Sequence, residues 1–165
     1  MNFNDISSMN EFGFTGFIPI GELMKDLTIL PKNKGVYKIL YMAETPPVFL
    51  TTGTGGFFKG RDPNVSIDIL KENWVEDTKV IYIGKAGGHD SLATLNARIK
   101  QYLHFGQGKK ASHRGGRLIW QLKDSKDLLI CWKVLIDEEP RNVEKNLIYD
   151  FKNIYNKRPF ANLRD

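Results

Sequence analysis

Val80-Ile81-Tyr82-Ile83-Gly84-Lys85 is a short β-branched run that carries one tyrosine and is stopped by glycine. A second run of the same design, Gly35-Val36-Tyr37-Lys38-Ile39-Leu40-Tyr41, lies upstream. Both read as strands, because branched and aromatic side chains suit a pleated, half-buried surface. Two strands that each present a tyrosine are followed in the chain by an arginine-bearing helix.

That helix is predicted over residues 94–105. Leu92, Leu95, Ile99, Tyr102 and Leu103 recur at helical spacing on one face, and Gly106 ends it. Arg98 stands at the border of that face, one turn before Tyr102. A third strand is predicted over 128–136, around the single cysteine, Cys131, which reads as a small buried apolar residue. Asp137-Glu138-Glu139-Pro140 begins the last helix, with acids at its positive end and proline in the first turn. It runs to about Asn156 with the apolar stripe Val143, Leu147, Ile148, Phe151, Ile154 and Tyr155. An extended tail follows.

The remaining stretches read as connections. Residues 1–30 form an N-terminal extension, loosely ordered over 1–15, with a short extended anchor at Phe17-Ile18-Pro19-Ile20 and two helical turns over 21–27. Thr45-Pro46-Pro47 interrupts the first strand, and Val48-Phe49-Leu50 is expected to return beside it as a hairpin arm. Thr51-Thr52-Gly53-Thr54-Gly55-Gly56-Phe57-Phe58-Lys59-Gly60-Arg61 is glycine-rich but lacks the Gly-Lys-Ser/Thr ending of a nucleotide-binding loop. It reads as a mobile surface loop whose Lys59 and Arg61 could touch a nucleic-acid backbone. Ser66 caps a short helix over 66–74. Gly108-Lys109-Lys110-Ala111-Ser112-His113-Arg114-Gly115-Gly116-Arg117 is the densest basic stretch, suited to following phosphates through Lys109, Lys110, His113, Arg114 and Arg117. Residues 118–122 predict a short helix.

The 165 residues suffice for one domain with a real core. A net charge of +5 and a pI of 9.2 are compatible with a polyanionic partner such as DNA or RNA. One cysteine excludes an internal disulfide or a zinc cluster. No signal-peptide pattern and no bilayer-length apolar run are present, so the expected setting is the cytoplasm, with no membrane partner.

Glu144 is the most informative single residue. On a helical wheel it falls amid Leu147, Ile148, Phe151 and Tyr155, so it points inward beyond the first turn, where capping does not explain it. A buried carboxylate is costly unless paired or bound to a cation. Two readings follow: an ion pair with an arginine, or a ligand for a hard divalent ion, which takes few protein carboxylates and keeps several waters. Arg98 with Tyr102 sets a guanidinium and a phenol on one side of a helix. Tyr37 and Tyr82 add two phenols near Lys85. A phenol titrates near 10 in isolation, so it needs a cation or a metal-bound water to act as a base.

These residues together resemble the GIY-YIG nuclease family. Gly35-Val36-Tyr37 is similar to the first motif, with Val in place of Ile, and Tyr82-Ile83-Gly84 matches the second. Arg98, Glu144 and Asn162 come in the family's order, so the resemblance spans 35–162. It implies an α+β fold with a small three-stranded antiparallel sheet flanked by helices. Residues 31–165 would be the nuclease domain, with an inserted arm at about 43–78. It implies cleavage of phosphodiester bonds in DNA with one Mg²⁺ or Mn²⁺ held by Glu144. Arg98 would bind the scissile phosphate. Tyr37, Tyr82 and Lys85 would shape the site and relay a proton, Tyr102 would stand near the nucleophile, and Asn162 would brace the site. The insert is a departure, since 45 positions separate Tyr37 from Tyr82. It suggests a substrate-reading arm of the restriction-enzyme kind. Other readings are a nucleic-acid-binding module without turnover and a nuclease selective for branched or damaged DNA. Cutting both strands with one small site per chain would suggest a homodimer.

Overall fold

A computed structural model describes residues 1–89, 91–111 and 115–164. In chain order these residues form α1 (Ile6–Glu11), β1 (Thr15–Pro19), α2 (Ile20–Leu23), β2 (Gly35–Leu40), α3 (Ile67–Asn73), β3 (Val80–Ala86), α4 (Leu95–Gly106), a 3-10 turn (Arg117–Gln121), β4 (Leu129–Val134) and α5 (Pro140–Tyr155). The fold is α+β. The two tyrosine runs pair antiparallel, with Tyr37 opposite Gly84 and Ile39 opposite Tyr82. β4 pairs with the other side of β2, setting Trp132 opposite Tyr37 and Cys131 opposite Lys38.

The antiparallel sheet has four strands, in the order β1-β4-β2-β3, where three were expected. The extra strand comes from the N-terminal 30 residues, read above as an extension. Gly16, with φ of +99°, and Phe17, at +53°, make a bulge that lets β1 pair with β4. The first 15 residues are not loose. Asp5 caps α1 by accepting hydrogen bonds from the Ser7 and Ser8 amides, and Phe3, Met9 and Phe14 are buried.

Side chains alternate across the sheet. On one face Tyr37, Ile39 and Tyr82 pack with Leu95, Ile99, Tyr102 and Leu103 of α4 and with Trp120 of the 3-10 turn. On the other, Val36, Leu40, Ile83 and Cys131 pack with Phe3, Met9 and Phe14 and with Ile148 and Phe151 of α5. Both faces are therefore dry, and β2 is buried at every position. Pro140 opens α5 as predicted, and Ser66 caps α3. Leu92 and Ile154, expected on apolar faces, are exposed. No helix among the described residues is long and apolar enough to cross a membrane.

The inserted arm differs most from expectation. Val48-Phe49-Leu50 does not return beside β2; Phe49 bridges to Leu122 instead, and the Leu50 amide donates to the Gln121 carbonyl. The glycine-rich stretch is fastened rather than mobile. Gln121, buried, donates through Nε2 to the carbonyls of Leu50 (3.0 Å), Thr51 (3.3 Å) and Val65 (2.8 Å), and its Oε1 accepts from the Val65 amide at 2.9 Å. One carboxamide thus ties both ends of the loop to the body of the protein.

Lys38, in the middle of β2, is fully buried. Its Nζ lies 3.8 Å from the Phe14 ring centroid and 5.3 Å from that of Phe3, and donates to Met1 Sδ at 3.0 Å. The aromatic faces attract the cation, yet burial still pushes its pKa from 10.5 down to about 7. An unfolded chain therefore binds more protons than the folded one between these values, and this residue's contribution to stability rises with pH across that window. Cys131, pushed up by burial from 9.0 to about 12, opposes the rise at the alkaline end. Lys38→Met is expected to raise the melting temperature at pH 7 by about 4 °C. The gain should shrink as pH climbs to about 9, as thermal melts across this range would show. An equal gain at every pH would remove Lys38 as the source of the dependence.

Candidate active site

β3 is an edge strand, and its outer backbone groups need partners. The C-terminal tail supplies them. Phe160 is wedged between Trp74 (5.1 Å between ring centroids) and Phe49 (5.9 Å). The Ala161 amide then donates to the Ile81 carbonyl at 2.9 Å. Asn162 follows with both ends of its side-chain amide: Oδ1 accepts from the Ile83 amide at 2.9 Å, and Nδ2 donates to the Ile83 carbonyl at 2.8 Å. A side chain thus stands in for a neighbouring strand, one residue from Tyr82 and one from Gly84.

Along this edge lies a cavity of about 430 Å³. Of the residues singled out in the sequence, Tyr82, Glu144, Asn162, Arg61 and Arg117 line it. Arg164 lines it too; nothing in the sequence marked it, since only the tail's path along β3 brings it there. Glu144 makes no ion pair or hydrogen bond among the described residues, so the arginine-pair reading finds no direct partner there. Burial raises its pKa, and the charges of Lys85, then Arg98, then Arg141 pull it back. Lys85 and Arg98 are therefore within electrostatic reach of the acid, although neither lines the cavity. Arg98 is half-buried, with Nη1 3.5 Å from Gln101 Oε1.

The three phenols pack together beneath, edge-on and tilted to one another. Ring centroids are 5.9 Å apart for Tyr37 and Tyr82, 6.2 Å for Tyr37 and Tyr102, and 5.5 Å for Tyr82 and Tyr102. Tyr37 is wholly buried, and its hydroxyl has no well-formed hydrogen bond among the described residues. There is no room for a side chain at Gly84, where a Cβ would lie 2.6 Å from Tyr37 Cζ. Tyr102 is equally buried and donates to the Gly116 carbonyl at 2.8 Å. Gly116 itself has φ of +70° and faces Tyr82. Tyr102 thereby holds the turn that delivers Arg117 to the cavity.

No family model, curated protein or solved structure matches the chain. The chemistry of the cavity rests on its own residues.

Burial pushes the Tyr82 phenol up to about 12, the Glu144 charge adding to the shift and Arg98 opposing it. Tyr37 is raised well above its usual range by burial and then by Tyr82, and Tyr102 likewise by burial. All three hold their protons at neutral pH, which suits them to donate hydrogen bonds rather than to accept a proton. The remaining candidates lie elsewhere. Lys59 and Lys110 line a separate hollow with Phe57 and Phe58, and Lys109 is exposed beside them. His113 and Arg114 fall outside the described residues. Among the described residues no group of three His, Cys, Asp or Glu side chains is placed to hold a metal, and Glu144 is the acid among those that line the cavity.

Asn162→Ala should release the tail from β3. Two hydrogen bonds are lost and the Ile83 backbone groups lose their partners, a cost of about 2 kcal/mol. The expected outcome is a lower melting temperature together with faster hydrogen exchange at the Ile83 amide. An unchanged exchange rate at Ile83 would show that the clamp does not close the edge.

Proposed function

We propose that the protein is a divalent-metal-dependent endonuclease that hydrolyses phosphodiester bonds in DNA, on a fold of the GIY-YIG kind. One observation carries this reading: a single half-buried acid, Glu144, with no hydrogen bond or ion pair among the described residues, shares a cavity with the Tyr82 phenol and the arginines 61, 117 and 164. A lone acid among cations suits a phosphate that arrives with its own counter-ion.

The donor set suits Mg²⁺ or Mn²⁺, which accept one or two carboxylates and complete their shell with water and phosphate oxygens. It does not suit a closed structural zinc site, which takes four protein ligands. Glu144 would hold the ion. The raised carboxyl pKa supports this, because a cation at the carboxylate would offset the burial that raises it. When bound, such an ion stabilises negative charge on the phosphate oxygens.

The chain's own groups do the rest. Arg98 sets a guanidinium near the acid and the phenols, where charge develops on the transferring phosphate. Tyr82, protonated, orients the attacking water by hydrogen bonding. Its raised pKa takes it out of the role of general base and leaves the water's proton to solvent or to a phosphate oxygen. Tyr37 and Tyr102 hold Tyr82 and the 115–117 turn from below. Arg61, Arg117 and Arg164 would neutralise the flanking backbone. Cleavage of both strands would call for two copies of the chain.

Plasmid DNA incubated with Mg²⁺ or Mn²⁺ tests the reading. The wild type should cut, Glu144→Ala should not, and Arg98→Ala should lose at least about 10²-fold in rate with an unchanged melting temperature. Binding without cutting by any of the three would instead favour a nucleic-acid-binding module. Binding should also weaken steeply with salt, since each displaced counter-ion adds to the slope, and a flat response would remove the phosphate contacts.

A further inference from the structure

We propose that Phe57 is a nucleobase-stacking residue, presented by the arm to the nucleic acid that enters the neighbouring cavity. The proposal rests on the nucleic-acid reading of that cavity and adds the part of the substrate other than its phosphates.

Phe57 is 57% exposed, whereas the next residue, Phe58, turns inward and packs against the core. The two residues after Phe58 both adopt left-handed backbone conformations, Lys59 at φ of +52° and Gly60 at +68°. The Arg61 amide donates to the Phe58 carbonyl at 3.1 Å. This is the tight two-residue turn with positive φ at both central positions. The chain just before Phe57 is equally constrained. The Gly56 amide donates to the Phe105 carbonyl at 2.7 Å, and a Cβ at Gly56 would lie 2.6 Å from the Lys109 carbonyl oxygen. The exposed ring therefore stands on a fixed support, so little conformational freedom is lost when it is covered.

Its surroundings select the partner. Phe57 lines a hollow of about 410 Å³ with Lys59 and Lys110, and no acid lines it among the described residues. The same turn sends Arg61 into the cavity that holds Glu144. An exposed ring sharing its hollow with two lysines, one of them with its ammonium over the adjacent Phe58 ring, and with three residues between it and an arginine that lines the phosphate site, matches a nucleotide with its base on the ring and its backbone on the cations. Base stacking on an aromatic side chain is sequence-tolerant, because every base offers a π-face. The base could come from a single strand or from a base step opened in a duplex.

Tryptophan fluorescence separates the possibilities. The native Trp74, Trp120 and Trp132 are at most 9% exposed, so a Phe57→Trp variant adds an exposed indole as reporter. In EDTA, to prevent cutting, sonicated duplex DNA or the same DNA heat-denatured is titrated into this variant, the wild type and Phe57→Ala. Quenching of the added indole and its protection from iodide are expected. Phe57→Ala should bind about tenfold more weakly, with its melting temperature and salt slope unchanged because no phosphate contact is removed. Quenching by denatured DNA alone would assign the base to single strands, and quenching by both forms to an opened duplex step; either supports the proposal. If Phe57→Ala binds as tightly as the wild type and the added indole is not quenched, the proposal is overturned while the phosphate site stands. If the wild type binds neither form, both readings fall together.

Discussion

The Asn162 side-chain amide, bonded to both backbone groups of Ile83, is the constraint on which the candidate site depends. An edge strand left open would offer its backbone to any passing chain. Closing it with a side chain rather than with another strand leaves room beside it, and that room becomes the cavity. The closure also fixes direction. The tail must leave α5, pass Trp74 and Phe49 at Phe160, and run along β3. Arg164 and the flank of α5 that carries Glu144 are thereby drawn to the strand that carries Tyr82.

Two residues that carry charge in water, Lys38 and Glu144, are drawn out of it here on different terms. Lys38 is closed into the apolar layer between β2 and the N-terminal segment, with aromatic rings and a thioether for neighbours. Its pKa of about 7 means that it sheds much of its charge near neutral pH rather than finding a counter-ion. Glu144 is only half-buried and borders open space. Its raised pKa is contested by Lys85, Arg98 and Arg141, so its charge is sustained from a distance. The first arrangement suits a structural group that needs no visitor, and the second leaves an acid able to receive one.

Much of this was legible in the sequence because it is written in local patterns. The β-branched runs around Tyr37 and Tyr82, the helical spacing around Arg98, the Pro140 helix start and the Ser66 cap all depend on residues close in the chain. The inward acid at Glu144 came from the same kind of pattern. The misses share the opposite character. β1 overlaps the stretch read as an extended anchor, but its place in the sheet depends on Gly16 and Phe17 taking positive φ against a strand more than 110 residues away, which no local pattern signals. The arm looked mobile because glycines dominate it, yet Gly53 and Gly56 sit where other backbone comes close. Gln121 and Asn162 show the limit from both sides. Each is a polar residue in an apolar stretch whose partners lie 56 to 79 positions away. Asn162 was picked out by a motif and Gln121 was not.

The buried phenols narrow how the proposed chemistry could run. Three tyrosines in mutual contact, each with its pKa raised first by burial, form a packed aromatic layer that reaches solvent only at Tyr82. A layer of that kind is stiff and apolar, and it can place one hydroxyl accurately. It cannot take up a proton at neutral pH, and ionising any member would set a negative charge near Glu144. In the proposed reaction the basic groups must therefore act on the phosphate and not through the tyrosines. Their layout agrees with this. Lys85 and Arg98 influence the acid from the sheet and from α4, while Arg61, Arg117 and Arg164 approach from the arm, the 3-10 turn and the tail. Arg141 of α5 acts on the same carboxylate, and the tyrosine face, the Gln121 ties and the Asn162 clamp together keep these elements in register.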